Sequence, residues 1–108
     1  MPTWQLSYYN HKVAATVEAW PTGIRAGYLR IVEAIQEHGP DLGLPHTRAM
    51  GGGLFEIRAK GREGIGRALY CTTVGQRIVV LHAFTKKTQK TPKRELDTAR
   101  ARLKEVKP

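Results

Sequence analysis

Apolar positions along this chain repeat with a helical period, then with a strand period, then with a helical one again. A short aromatic stretch, Trp4 to Tyr9, alternates in part and predicts a strand. Asn10 then stands where a helix N-cap belongs, and Val13, Val17 and Trp20 recur at helical spacing beside Ala14. Pro21 ends that helix or marks the turn after it, and Thr22 is placed to cap a second. Ile24, Tyr28, Ile31, Val32 and Ile35 form the second apolar stripe, with Arg25, Arg30, Glu33 and Glu37 mostly elsewhere on the helix. Gly39-Pro40 is a stop, because glycine suits a left-handed cap and proline cannot continue the helix. Two consecutive helices of this kind suggest a helical hairpin.

The period then falls to two. Gly51-Gly52-Gly53 reads as a flexible connector or a tight turn. In the strand after it, Phe55, Ile57 and Ala59 face one way and Glu56 and Arg58 the other. Past a turn at Gly61 to Gly64, Ile65 to Val74 puts Arg67, Leu69 and Cys71 on one face and Ala68, Tyr70 and Thr72 on the opposite one. Gly75-Gln76 leads tightly into Arg77 to Phe84, a continuous β-rich run. These segments predict an antiparallel meander. Thr91-Pro92 opens a last helix with the apolar stripe Leu96, Ala99, Leu103 and Val106. Strand, two helices, three or four strands and a helix make a single α+β domain over residues 1–108.

Charge adds a direction. The 108 residues carry a net charge of +9, but residues 1–54 hold four basic residues (Lys12, Arg25, Arg30, Arg48) against four acidic ones (Glu18, Glu33, Glu37, Asp41). The entire excess therefore follows residue 54, which points to a polyanionic partner. The lone cysteine, Cys71, excludes an internal disulfide framework. His11, His38, His46 and His82 are dispersed with no metal-ligand spacing, and the triple glycine lacks the Gly-Lys-Ser/Thr ending of a phosphate loop. No metal or cofactor is expected. No apolar run is long enough for a membrane span and no secretory signal opens the chain, so a cytoplasmic location is expected.

The remaining chemistry lies on successive strands. Adjacent strands sit about 4.8 Å apart, so Glu56, Arg58, Arg67, His82, Phe84 and the following Lys86-Lys87 are placed to converge on one patch. Guanidiniums grip phosphate oxygens bidentately and stabilise the charge that develops during strand cleavage. Phe84 is placed to stack an unpaired base and His82 to move a proton near neutral pH. Lys90, Lys93 and Arg94 add charge for docking RNA. Each residue also admits a structural role: Arg58 with Glu56 as a surface salt bridge, His82 as a hydrogen-bonded, partly buried residue, and Phe84 as core beneath the last helix.

Three segments carry a family resemblance: Gly53-Leu54-Phe55-Glu56-Ile57-Arg58, Gly66-Arg67-Ala68-Leu69-Tyr70, and Leu81-His82-Ala83-Phe84-Thr85-Lys86-Lys87 through Pro92 with its helix. Together with Gly43 to Met50, they resemble HigB-type toxins, including the phage-derived branch, of the RelE/ParE superfamily. The resemblance implies a RelE-like, microbial-ribonuclease-type fold, with the helical hairpin packed on a twisted antiparallel sheet. It implies the toxin of a type II toxin–antitoxin pair: an mRNA endoribonuclease, often acting at the ribosome, that needs no metal. A cognate helix-turn-helix antitoxin would silence it, and operator DNA would be reached only through that complex. A ribose 2′-OH would attack the adjacent phosphate, with Arg58 and Arg67 on the phosphate and Lys86 or Lys87 there or as proton carrier. Glu56 would orient an arginine or act as base, and His82 is a further acid/base candidate. Several RelE-like nucleases place a catalytic tyrosine near the C-terminus. Here the last tyrosine is Tyr70, so that role is not carried over. The rival reading is a non-nuclease basic protein, such as a gyrase-inhibiting ParE-like toxin or a phage host-takeover factor.

Overall fold

A computed structural model describes residues 3–86 and 90–107. The elements are β1 (Gln5–Tyr8), α1 (His11–Glu18), α2 (Thr22–His38), β2 (Thr47–Gly51), β3 (Leu54–Gly61), β4 (Gly64–Thr73), β5 (Arg77–Lys86) and α3 (Lys93–Val106). Asn10 caps α1 as predicted, its Oδ1 accepting the Val13 N–H at 3.0 Å. Thr22 does not cap α2. Pro21 occupies the cap position without a side-chain hydrogen bond, and the Gly23 N–H instead donates to Glu63 at 3.3 Å. A carboxylate from the β3–β4 turn thus sits at the positive end of the helix dipole. Gly39 ends α2 at φ 103°, the conformation the Gly-Pro stop requires.

The strands form one five-stranded sheet in the order β1-β5-β4-β3-β2. The meander β3-β4-β5 is antiparallel as predicted, but β1 pairs with β5 in parallel, so the sheet is mixed rather than wholly antiparallel. The physical reason is connectivity: β1 and β5 are joined through the whole intervening chain, which frees them from the antiparallel sense that a tight hairpin imposes. The triple glycine is the turn of the β2–β3 hairpin, with φ of 89°, 63° and 85° at Gly51, Gly52 and Gly53.

The two sheet faces bury separate cores. On one, α1, α2 and the turn between them bring Val13, Val17, Trp20, Ile24, Tyr28 and Ile35 onto Ile57, Ala68, Tyr70 and Val80. On the other, Ala99, Leu96, Leu103 and Val106 of α3 cover Leu54, Leu69, Cys71, Leu81 and Phe84. Among the described residues no helix is long and apolar enough to cross a membrane. Helix and sheet meet closely at Gly66, where a Cβ would stand 2.5 Å from Ile24 Cγ2 and 2.9 Å from the Trp20 ring. Gly66→Ala is therefore expected to lower stability by about 1–3 kcal/mol, measured by urea unfolding; an unchanged midpoint would mean that α2 shifts freely off β4.

Candidate active site

Alternation places the side chains of Glu56, Arg58, Arg67, His82 and Phe84 on the α3 face, and the pairing aligns them in rows. Arg58 lies opposite Arg67, and Arg67 opposite Phe84. In the next row Arg48 of β2 lies opposite Glu56, Glu56 opposite Leu69, and Leu69 opposite His82. The convergence inferred from the strand pattern is thus present for Glu56, Arg58, Arg67, His82 and Phe84. Lys87 lies outside the described residues, as does the side chain of Lys86.

This face is not an open polar surface. Glu56 and Arg67 are both 0% exposed and Arg58 only 9%. Glu56 lies between the two guanidiniums, with Oε1 3.7 Å from Arg58 Nη1 and Oε2 3.6 Å from Arg67 Nη1. Thr91, at the approach to α3, closes over the pair: Arg67 Nη1 donates to its hydroxyl at 2.8 Å, and that hydroxyl donates to Glu56 Oε2. Burial pulls the Arg67 guanidinium below its ordinary range. The Glu56 carboxylate opposes that shift, while Arg58 and, more weakly, Arg48 reinforce it. An arginine nonetheless stays charged, so the group is a buried, compensated ion cluster.

His82 is hydrogen-bonded. Its Nε2 lies 2.9 Å from Glu95 Oε1 in the first turn of α3, and both side chains are 19% exposed. Phe84 is buried in the core beneath α3, its ring tilted against His82 at 5.7 Å between centroids. A base-stacking platform needs an open ring face, so Phe84 takes the core role. Lys90, Lys93 and Arg94 are exposed, with Lys93 paired to Asp97 at 2.9 Å. Other α3 cations hold the helix down. Arg100 donates to the carbonyls of Gly51 and Met50, and Arg102 donates to that of Leu81 while covering the Tyr9 ring at 4.7 Å.

Two groups on the meander are set aside by their surroundings. Tyr70 points to the opposite face, where its hydroxyl donates to the Pro40 carbonyl and burial pushes its pKa up. Cys71 is buried, and burial likewise raises its thiol, which disfavours the thiolate needed of a nucleophile. Among the described residues no three His, Cys, Asp or Glu side chains group as a metal site.

Sequence reasoning missed Arg48, Thr91 and Glu95. Arg48 belongs to the half of the chain with no net charge, and only the β2–β3 pairing brings it beside Glu56. Thr91 reads only as part of a helix start, Glu95 follows in the first turn of that helix, and no spacing signal links either to residues 56, 67 and 82.

A family model described as "Phage derived protein Gp49-like (DUF891)" matches residues 15–104, a span that contains Arg48, Glu56, Arg58, Arg67, His82, Phe84, Thr91 and Glu95. The chain belongs to the Gp49-like family. That family is associated with RelE-type, toxin-like proteins. No curated protein matches the chain. The Gp49-like chain thus pairs a phage-derived family with a sheet face whose row of basic groups is organised around one carboxylate.

Proposed function

We propose that this chain is a HigB-type toxin of RelE-like fold that cleaves mRNA without a metal ion. The observation that carries the reading is the alignment of Arg48, Arg58 and His82 around the buried Glu56–Arg67 pair on one sheet face. Burial divides the roles. Arg58 and His82 retain some exposure and are the groups that meet RNA, whereas Arg67 is a positioning residue acting through Glu56. The ribose 2′-oxygen attacks phosphorus, the bond to the 5′-oxygen breaks, and the products are a 2′,3′-cyclic phosphate and a 5′-hydroxyl. Arg58 holds the phosphate oxygens and stabilises the added charge. His82, oriented by Glu95, moves a proton between the 2′-OH and the leaving oxygen, with Lys86 or Lys87 as the alternative carrier. In this reading the chain works in the cytoplasm on mRNA at the ribosome, a helix-turn-helix antitoxin silences it, and operator DNA is reached only through that complex.

The test is incubation of purified protein with a reporter mRNA in a translation extract. New 5′-hydroxyl ends are expected; a message that stays intact overturns the proposal. Affinity for RNA should also fall steeply with salt. Replacing Lys90 or Arg94 by alanine should lower the salt slope by about one unit each, read by fluorescence anisotropy. A flat slope in the parent protein contradicts phosphate-led binding.

The complete burial of Glu56 and Arg67 favours a second reading, in which the pair is only a structural brace and the protein acts by binding, as a gyrase inhibitor or a host-takeover factor would. Inhibition of DNA supercoiling with no RNA cleavage selects it.

A further inference from the structure

On its β2 side, the sheet edge is incomplete. β2 begins at Thr47, and just before it the His46 carbonyl accepts the Arg58 N–H at 2.9 Å. β3 runs on to Gly61 along α2, which approaches so closely that a Cβ on Gly27 would stand 2.9 Å from the Lys60 carbonyl oxygen. Between α2, the Pro45-His46 segment and β3 lies a cavity of about 410 Å³. Ile31, Ala34 and Pro45 contribute apolar lining. Arg30, His46, Arg58 and Lys60 also line it, and none of the described lining residues is acidic. Neither Arg30 nor Lys60 has an ion-pair partner among the described residues.

Such a combination selects a ligand. Apolar lining alone would suit a greasy side chain, and a bare patch of cations would suit any polyanion. A small concave site that joins both, within the size range of small-ligand pockets, suits a planar base carrying a phosphate. An acidic peptide would satisfy the cations but leave the apolar lining without a matching group. Arg58 ties the cavity to the candidate cleavage face, since it lines the one and stands 3.7 Å from Glu56 on the other.

We infer that this cavity is a nucleotide subsite of the RNA strand. A base rests against Ile31, Ala34 and Pro45, its phosphate meets Arg30 and Lys60, and Arg58 lies between this nucleotide and the cleaved linkage. The inference rests on the RNA-cleavage reading for its ligand, and it predicts a function for two cations outside the candidate cleavage set.

The experiment uses the full chain, with adenosine 5′-monophosphate, a short single-stranded RNA and a polyglutamate peptide as probes. Adenosine 5′-monophosphate should shift the amide resonances of Arg30, Ala34 and His46. Arg30→Glu, an exposed helix position, should weaken RNA binding about tenfold and raise KM for cleavage with kcat retained, at an unchanged Tm. Ala34→Phe, which fills the cavity, should reproduce the loss. If cleavage is normal and Arg30→Glu leaves both RNA affinity and KM unchanged, the subsite is wrong and the nuclease reading stands. If no cleavage is found but the mononucleotide still produces the three shifts, the cavity stands as a nucleotide site, while the nuclease reading and the place of that site beside a cleaved linkage fall. Shifts produced by polyglutamate and not by the nucleotide overturn the inference in favour of an acidic protein partner.

Discussion

Replacing Arg67 by methionine is expected to lower stability by about 3–5 kcal/mol, read as a fall in the urea midpoint at an unchanged slope. The reason is the environment of Glu56. Both side chains are fully buried, and removing the cation leaves the carboxylate out of water with Thr91, the more distant Arg58 and the cross-strand Arg48 to offset it among the described residues. The loss should be largely recovered in the double variant Glu56→Met with Arg67→Met, because a well-packed apolar pair is often no worse than a buried ion pair. A double-mutant cycle over these residues therefore measures the coupling directly. A single-variant loss below about 1 kcal/mol would mean that water reaches the pair, contrary to the burial described above.

Replacing Arg58 by alanine should cut RNA cleavage by about 10²–10³-fold while leaving the fold intact, which is the scale of removing one donor from developing transition-state charge. The fold survives because Glu56 keeps Arg67 and Thr91 as partners. Arg58→Lys should recover part of the rate, since it restores charge but not the planar fork that grips two phosphate oxygens. Circular dichroism and single-turnover cleavage separate the two effects. A wild-type cleavage rate in Arg58→Ala would remove this residue from the reaction and leave the binding reading in its place.

These two results address different parts of one cluster, and the difference follows from depth. Arg58 and Arg67 are cross-strand neighbours on the same face, chemically identical and equally visible in the sequence. One retains a sliver of exposure at the side of the sheet and lines a cavity; the other is sealed by a threonine 24 residues further along the chain. Positive charge is divided in the same way along α3. Lys90, Lys93 and Arg94 face solvent, whereas Arg100 and Arg102 bond backbone carbonyls of the sheet. The excess charge after residue 54 is therefore only partly a docking surface.

By itself the sequence determined the face of each strand residue, since alternation has a period of two and leaves Phe55, Ile57 and Ala59 on one side and Glu56 and Arg58 on the other. It determined the Asn10 cap, the Gly39 stop and the apolar stripes of α1, α2 and α3 for the same reason: each is a local property of a few consecutive residues. Tertiary structure decided the rest. The parallel pairing of β1 with β5, the entry of Arg48 beside Glu56, the cavity between Arg30 and Lys60, and the closure of Thr91 and Glu95 over the arginine and histidine all join segments far apart in the chain. Period and composition say which way a side chain points from its own element. Whether it then meets water, a carboxylate or another helix depends on which distant segment packs there, and that is settled by the burial of the whole chain.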